Sequence, residues 1–456
     1  MFDLDPEILS LRVAEKLKTT DELILRGRVK KVIGLVIESE GPKASIGELC
    51  SLRDKTGKEI CLSEIVGFKD GNTILSMALG EVSNIAPGME ITALGKRLTV
   101  RVGDALLGRV LDGLGNPIDN SEFPDKLETR SIYSLPPNPL LRKRINSPVA
   151  TGIRAVDGML TMGKGQRVGI FAGSGVGKST LLGMIARNTS ADINIIALIG
   201  ERGREVKEFI EKDLGEDGLK RSIVIVATSD TSPLIRVKAG LTATTIAEHF
   251  RDRGLDVMLM MDSVTRLAMA QREVGLTIGE PPTTKGYTPS VFSLLQKTME
   301  RAGTSDVGSI TGLYTVLVEG DDMNEPIADA ARGILDGHFV LSRKIAAQGH
   351  FPAIDVLESI SRVRSDVISK EQLNASRTIQ ELLAAYKSAE DLISVGAYQA
   401  GINPKTDKAV QFYDIINNYL KQDIYENSRF EDSVANLIEI AGMKDVKVYK
   451  SKMNSG

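Results

Sequence analysis

Residues 166–188 read QRVGIFAGSGVGKSTLLGMIARN, which is a strand pattern, a glycine-rich turn and a helical pattern in succession. The glycines allow backbone conformations that point consecutive N–H groups at one anion, and the start of the helix adds a partial positive charge. Lys178 suits the β- and γ-phosphates of a nucleotide, and Ser179 suits Mg²⁺. Ala172 replaces the glycine that usually opens this motif, but the strand–turn–helix order supports a phosphate-binding loop. The residues expected to contact the phosphates are Gly173, Ser174, Gly175, Val176, Gly177, Lys178, Ser179 and Thr180.

The composition is that of a soluble globular protein of two or three domains. The chain has 456 residues, of which 42% are apolar and 26% charged, and its net charge is −3. This charge gives the whole chain no electrostatic reason to bind nucleic acid or an anionic membrane. Two cysteines, no secretory signal and no apolar run long enough to span a bilayer together predict a cytoplasmic protein.

The pattern changes along the chain divide it into four segments. Residues 1–20 carry apolar side chains at helical spacing, which predicts an amphipathic helix that packs on its own domain or docks on a partner protein. Residues 21–92 read as short strands separated by turns, one of them over Gly27–Ile37, and predict a small β-barrel. Residues 93–370 contain the phosphate-binding loop, and residues 371–456 predict a C-terminal α-helical domain.

Within residues 93–370, a connecting region to about residue 150 precedes an alternation of apolar strands and helices. This alternation predicts an α/β core in which helices cover both faces of a mostly parallel sheet. The strand candidates after the loop are Ile193–Ile199, Ser222–Ala227, Asp256–Met261 and Thr311–Val318. Ligands in such sheets bind at the carboxyl ends of the strands, where the loop, Glu201 and Asp262 all fall.

Two carboxylates at strand ends are candidates for the chemistry of a bound triphosphate. Asp262 ends an apolar strand downstream of the loop, where a carboxylate is expected to support Mg²⁺. Glu201 follows Ile193–Ile199, where it could orient and polarise the water that attacks the γ-phosphorus. Glu205 is the weaker candidate because it lies about one turn into the next helix. Both glutamates could instead serve only to favour the start of that helix.

The predicted barrel lacks the features of an RNA-binding domain. Its only aromatic residue is Phe68, so it has no platform for stacking bases. Residues 21–92 contain nine Lys and Arg against eleven Asp and Glu, which also disfavours contact with a phosphate backbone.

The chain resembles the rotary-type hexameric ATPases, which include the ATP synthase α and β subunits and the protein-export ATPases. The likeness is carried by GSGVGKS, GERGREV, GEPPTTKGYTPSVFS and SVGAYQAGINPKTDKAV, and by the run from Val318 to Arg362. Within that run, PAID at 352–355 with Ser359 and Ser361 matches the signature of the superfamily. The chain is most similar to the flagellar type III export ATPases, over almost its whole length and most strongly from about residue 150 to 405.

The resemblance implies a RecA-like core, with ATP and Mg²⁺ as its ligands, and a role for each matching residue. Lys178 and Ser179 would bind phosphate and Mg²⁺, and Asp262 would support the metal. Glu201 would activate water, and Arg202 beside it would lie near the γ-phosphate.

Two further residues gain roles only through the resemblance. Phe351 matches the position where relatives stack an aromatic ring, often Tyr, on adenine. Arg362 matches the arginine finger that one subunit inserts into its neighbour's site. Because Glu201 and Arg362 occur in the same chain, a homohexamer could complete its own active sites.

The resemblance also implies partners. A cytosolic regulator would bind the N-terminal helix, and a coiled-coil stalk protein would contact the loop over Glu273–Ser290 at the pore of the ring. An export gate and chaperone–substrate complexes are further expected partners, whereas nucleic acid is not. Association with the inner face of the cytoplasmic membrane, at the flagellar base, would be peripheral and through partners.

Three alternatives remain at this point. The first is the ATPase of an injectisome, although Asn324 favours the flagellar branch by resemblance. The second is a non-catalytic ring subunit, which Glu201 disfavours because the α-type relatives carry Gln there. The third is an RNA translocase of the transcription-terminator kind, which shares this core but is disfavoured by the acidic, aromatic-poor barrel.

Overall fold

The computed structural model describes residue 10 and residues 26–69, 73–119, 121–123, 126–318, 320 and 322–443. The helix predicted over residues 1–20 therefore lies outside the described residues, apart from Ser10. The chain divides into two compact units, one of Met1–Leu98 with Val274–Glu280 and one of Thr99–Glu273 with Pro281–Gly456. None of the described helices is long and apolar enough to cross a membrane.

Six antiparallel strands form a closed barrel in the first unit. They are β1 Arg26–Ile33, β2 Val36–Glu40, β3 Glu48–Arg53, β4 Glu59–Lys69, β5 Thr73–Ala78 and β6 Glu90–Arg97. Their order around the barrel is β1-β2-β5-β4-β3-β6, and β1 closes on β6. The single strand predicted over Gly27–Ile37 is wrong, because Gly34 adopts a φ of 57° and turns the chain from β1 into β2.

The second unit is built on a nine-stranded sheet. The described part of the unit contains thirteen strands, of which nine form this sheet and four form two small ladders. The thirteen are β7 Thr99–Val102, β8 Val110–Asp112, β9 Glu128–Ser131, β10 Pro148–Val149, β11 Met162–Gly163, β12 Arg167–Ala172, β13 Ile193–Ile199, β14 Ser222–Ala227, β15 Asp256–Asp262, β16 Gly303–Thr304, β17 Ser309–Leu317, β18 Gly337–Leu341 and β19 Ile354–Ser361. The sheet has the order β19-β18-β12-β17-β15-β13-β14-β8, with β16 also paired to β17. Strands β7 with β9, and β10 with β11, form two small separate ladders.

The sheet is parallel except at β19 and β16, which run antiparallel to their neighbours. Every residue of β13 and β14 is buried, as expected of strands that are covered on both faces. This arrangement confirms the predicted α/β core. The region from 93 to about 150 is more than the connection that was expected, because β8 adds a strand beside β14 at the sheet edge.

Helices cover the sheet and form the C-terminal region. They are α1 Lys178–Asn188, α2 Gly203–Glu208, α3 Gly215–Lys220, α4 Pro233–Arg251, α5 Val264–Thr277, α6 Pro289–Glu300, α7 Pro326–Ile334, α8 Arg343–Ala347, α9 Arg364–Val367, α10 Lys370–Ser394, α11 Pro404–Leu420 and α12 Phe430–Gly442. A π-helical turn, Phe209–Leu214, continues α2 into α3. Helix α4, which packs on the sheet, begins at Pro233, because the Ser232 side chain caps it and proline suits the first turn of a helix.

The C-terminal helices share one hydrophobic core with the nucleotide-binding sheet. Ile379 of α10 and Phe412 and Ile416 of α11 belong to the same cluster of buried side chains as Leu182 and Ile185 of α1. The closed barrel, the mostly parallel sheet and the C-terminal helices together confirm the predicted fold class.

Candidate active site

The phosphate-binding loop has the conformation that its sequence predicts. Strand β12 ends at Ala172, and α1 begins at Lys178. Gly175 and Gly177 have φ angles of 79° and 90°, in the left-handed region that side chains other than glycine rarely adopt. The loop therefore directs the start of α1 towards the carboxyl edge of the sheet, where an anion would meet both the loop amides and the helix dipole.

Three charged side chains meet beneath the loop. The Nζ atom of Lys178 lies 2.5 Å from Oδ1 of Asp262 and 3.5 Å from Oε1 of Glu201. Thr315, on the neighbouring strand β17, donates its hydroxyl to the same Asp262 oxygen over 2.7 Å. Strands β12, β17, β15 and β13 are parallel neighbours, so their carboxyl ends lie at one edge of the sheet. This edge brings together Lys178 and Thr315, which are 137 positions apart in the chain.

The electrostatics of this group favour a charged lysine beside a weakly acidic glutamate. Burial alone would lower the pKa of Lys178, but the carboxylates of Asp262 and Glu201 outweigh it and raise that pKa. Burial raises the pKa of Glu201 above its ordinary value, and Lys178 opposes this rise. A raised carboxylate pKa suits a group that accepts a proton near neutral pH.

The oxygen donors around Ser179 and Asp262 suit Mg²⁺. These two residues, with Glu201 and Glu205, line a small cavity of about 20 Å³, which is room for about one water molecule. Hydroxyl, carboxylate and water oxygens are the ligands that Mg²⁺ prefers, and in phosphate-loop proteins the nucleotide completes the set. The described residues contain no cluster of three or more His, Cys, Asp or Glu that could hold a metal alone. One hydroxyl and one carboxylate beside a space for water leave the remaining positions of Mg²⁺ to water and to the phosphates of a nucleotide.

Two adjoining cavities differ in polarity in the way that the phosphates and the base of a nucleotide do. A polar cavity of about 700 Å³ surrounds the loop, and a mostly apolar one of about 280 Å³ lies beside it. Both include Gly177 and Thr180 in their walls. The second is lined by Gly177, Thr180, Leu181, Met184, Leu341, Phe351, Pro352, Ala353, Gln422, Asp423 and Ile424. Phosphates in the first cavity would place the base of the nucleotide in the second.

Phe351 presents its ring to the apolar cavity. It immediately precedes the β19 region, at the carboxyl edge of β12, and is 47% exposed. A Cβ atom at Gly177 would lie 3.7 Å from its ring. A large aromatic side chain that is half exposed at the edge of an apolar pocket is available to stack on a flat ligand.

The two predicted arginines lie in different places. Arg202 lines the polar cavity, where its exposed guanidinium is 3.4 Å from Glu205. Arg362 follows β19, which runs antiparallel to β18, so it emerges at the edge opposite the loop. Its backbone N–H donates to the Asp336 carbonyl over 3.0 Å, and its Nη2 to the Arg332 carbonyl over 3.3 Å.

The strand register gives the separation between Arg362 and the loop of its own chain. Ala172 is level with Leu341, and Ser361 is level with Gly337, four residues back along β18. Four residues of strand span about 13 Å, and the two steps from β12 to β19 add about 10 Å sideways. Arg362 therefore cannot reach the phosphate site of its own chain without a rearrangement of the sheet.

Family profiles match the chain in three successive stretches. The ATP synthase alpha/beta family, beta-barrel domain, matches residues 29–95, and the nucleotide-binding domain of the same family matches residues 152–361. The T3SS EscN ATPase C-terminal domain matches residues 368–439.

Curated relatives cover nearly the whole chain. A flagellum-specific ATP synthase of Bacillus subtilis is 55% identical over 431 residues, which are 94% of this chain and 98% of the relative. The chain belongs to the type III secretion ATPases. A flagellum-specific ATP synthase of Salmonella typhimurium is 50% identical, over 90% of this chain and 92% of the relative. A type 3 secretion system ATPase of Xanthomonas euvesicatoria is 48% identical, over 91% and 93%.

A solved structure of a type III ATPase has the same fold. The assembled ATPase EscN of the enteropathogenic E. coli type III secretion system matches with a TM-score of 0.86 and 46% identity, over 91% of this chain and all of that one. EscN in complex with its central stalk EscO matches with a TM-score of 0.84. The family prediction and the prediction of an ATPase of protein export are thereby confirmed at the level of the family.

The structure of this type III ATPase brings most of the predicted site residues together. The loop residues other than Val176, whose side chain is buried in the hydrophobic core, line the polar cavity together with Glu201 and Arg202. Asp262 lines the small cavity beside Ser179, and Phe351 borders the apolar one. Arg362 is the exception within a single chain. The roles of all these residues remain predictions.

Two arginines of this ATPase's site, and the C-terminal residues that line its apolar cavity, were not predicted from the sequence. Arg266 and Arg343 line the polar cavity, and residues 422–424 line the apolar one. Arg266 had a signal, since it lies in the first turn of α5, the helix that follows Asp262, with its side chain packed against Gly200. The other residues carried no local signal, because they come from α8 and from the connection after α11.

Proposed function

We propose that this protein hydrolyses Mg-ATP to energise the export of flagellar proteins, through the flagellar type III secretion apparatus. In this proposal each active site forms between two copies of a homohexamer. The observation that carries it is the division of the catalytic groups within one chain. Lys178, Glu201 and Asp262 meet at the loop, whereas Arg362 is held at the opposite edge of the sheet.

The residues of one copy would perform all steps but one. The loop amides and Lys178 would hold the β- and γ-phosphates, and Ser179 with Asp262 would hold Mg²⁺. The metal, when bound, neutralises charge on the phosphate oxygens. Glu201 would orient the attacking water and accept its proton, which its raised pKa favours. Arg202, close to Glu205 at the cavity wall, would contact the γ-phosphate.

A neighbouring copy would supply Arg362. Its guanidinium donates only to the Arg332 carbonyl among the described residues, and the side chain is exposed. It is therefore available to a phosphate that is bound by another chain. An arginine that neutralises the charge of the transition state raises the rate of such reactions by about 10³–10⁵.

The base would bind in the apolar cavity, against Phe351. The aromatic face is retained when Phe replaces the Tyr expected in relatives, and only the hydroxyl is lost. Supporting this placement, the cavity adjoins the phosphate cavity and is walled chiefly by aliphatic side chains.

The partners proposed for this ATPase follow from its relatives. EscN, a structural neighbour, has been seen assembled and in complex with a central stalk. We infer a homohexamer with a coiled-coil stalk protein at its pore, near residues 273–290. A cytosolic regulator at residues 1–20, an export gate and chaperone–substrate complexes would complete the apparatus, with peripheral attachment to the inner face of the cytoplasmic membrane.

Glu201→Gln tests the catalytic part of the proposal. Gln keeps the size of the side chain but cannot accept a proton, so Mg-ATPase activity should fall by at least about 10². Glu208→Gln is the matched control, because Glu208 lies on the surface of α2 in an exposed pair with Arg204. Equal activity of wild type and Glu201→Gln would remove Glu201 from the mechanism. No activity in wild type would favour a non-catalytic ring subunit.

Genetic complementation tests the flagellar part. The gene should restore swimming to a Bacillus subtilis strain that lacks its flagellum-specific ATP synthase, and the Glu201→Gln variant should not. The alternative is an injectisome ATPase, which is supported by the type 3 secretion system ATPase of Xanthomonas euvesicatoria at 48% identity. Failure to restore swimming by a stably produced, active enzyme would favour that alternative.

A further inference from the structure

Arg343 places a guanidinium directly against the phosphate-binding loop. A Cβ atom at Gly173 would lie 2.6 Å from Nη2 of Arg343 and 2.7 Å from its Nε. The position is fixed by the turn before α8, because the Ser342 N–H donates to the Ala353 carbonyl over 2.9 Å and the Ser342 side chain caps the helix. Arg343 also lines the polar cavity that surrounds the loop.

The guanidinium of Arg343 has no carboxylate partner among the described residues. Four cationic side chains line the polar cavity, namely Lys178, Arg202, Arg266 and Arg343. Lys178 pairs with Asp262 and Glu201, and Arg202 pairs with Glu205. Arg266 lies close enough to Glu201 to lower its pKa. No described carboxylate forms a salt bridge or hydrogen bond with Arg343.

The next residue of α8, Lys344, is a cation with a structural role. Lys344 donates to Glu390 of α10 over 2.7 Å and so ties α8 to the C-terminal helices. The side chains of Arg343 and Lys344 are both exposed, but among the described residues Arg343 has no ion pair or side-chain hydrogen bond to another element. Packing alone therefore does not explain a cation at this position, whereas a polyanion in the cavity would.

We propose that Arg343 is a further phosphate-binding residue, which contacts the phosphates of the nucleotide beside Gly173. The proposal rests on the function proposed above, since it assigns Arg343 to the same nucleotide. A guanidinium offers a planar pair of donors that matches two oxygens of a phosphate group. Arg343 would thus contact a phosphate in the copy that binds it, unlike Arg362, which would act on a neighbour.

The test compares the affinities of wild type, Arg343→Ala, Arg343→Lys and Lys344→Ala for ADP, by calorimetry on the full-length protein. Arg343→Ala should weaken ADP binding about tenfold at low salt, and the difference should shrink at about 300 mM KCl. Arg343→Lys should recover part of the affinity, and Lys344→Ala should bind as wild type does. Competition by adenosine, which has no phosphate, should be the same in all four proteins.

The outcomes separate this inference from the function on which it rests. Failure of the wild type to bind ADP would refute the proposed nucleotide site itself. Wild-type binding with an unchanged affinity in Arg343→Ala would overturn only the role of Arg343. An equal loss for ADP and adenosine, with a lowered melting temperature, would show a structural role and overturn it too. An effect seen only in assembled protein would assign Arg343 to the contact between copies and equally overturn the proposal.

Discussion

Mixing two inactive variants tests whether the active site is shared between copies. Arg362 emerges about 13 Å along the sheet and two strands away from the end of β12 in its own chain, so it must act on another copy if it acts at all. Glu201→Gln retains the arginine and lacks the base, whereas Arg362→Ala retains the base and lacks the arginine. Each should lose at least about 10² in turnover when measured alone.

The ring geometry gives the size of the recovery. In a head-to-tail ring of randomly mixed copies in equal amounts, about one interface in four would pair an intact base with an intact arginine. Mg-ATPase activity of the mixture should therefore rise well above that of either variant, towards about a quarter of the wild-type value. The control mixes wild type with the double variant, which yields the same fraction of intact interfaces. A mixture of the single variants that stays inactive, while the control is active, would refute the shared site.

Four further predictions follow from the same structure. Because burial raises the pKa of Glu201, protonation should remove the base and lower turnover at a pH above the ordinary glutamate value of 4.5. A profile of kcat across about pH 4 to 9 checks this, and a kcat that stays constant down to the ordinary value of 4.5 would contradict it. Phe351→Ala should weaken ADP binding by about 1–3 kcal/mol and Phe351→Tyr should not, as calorimetry would show; equal losses would argue against stacking. Glu248→Ala should cost about 3–5 kcal/mol of stability in urea denaturation, because it strands the buried Arg301, whereas the exposed Glu208→Ala should cost no more than about 1 kcal/mol. Specific Mg-ATPase activity should rise with protein concentration as the ring forms, and a flat dependence from dilute to concentrated protein would contradict a site built by two copies.

The core of the fold was predictable because its signals are local. Mostly apolar runs such as Ile193–Ile199, in which Asn194 is the one polar residue, are buried on both faces of a parallel sheet, and this run keeps its predicted bounds in the structure. Parallel strands also explain why Glu201 and Asp262 could be grouped in advance, since both follow strands whose carboxyl ends share one edge. The phosphate-binding loop needed only its glycines, lysine and strand–helix context.

The rest depends on packing between distant segments. Residues 422–424 line part of the apolar cavity beside the phosphate-binding loop. They are held there because Gln422 donates to the Gly152 carbonyl over 2.6 Å and accepts a hydrogen bond from the Arg154 N–H over 2.9 Å. No local pattern announces such a contact across about 270 residues of chain. The local sequence also could not predict that Arg343 lies against the phosphate-binding loop or that Arg362 lies at the opposite edge of the sheet. Both positions follow from the directions of β18 and β19.

A structure of the assembled protein with Mg²⁺ and a non-hydrolysable ATP analogue would examine the shared pocket most directly. The distance to measure is that from the Arg362 guanidinium of one copy to the terminal phosphate held by Lys178 of the next. Hydrogen-bonding distance, about 3 Å, is the result expected if two copies build each site. An Arg362 that stays on the Arg332 carbonyl of its own chain, remote from every phosphate, would contradict that account and leave a nucleotide site contained in one chain.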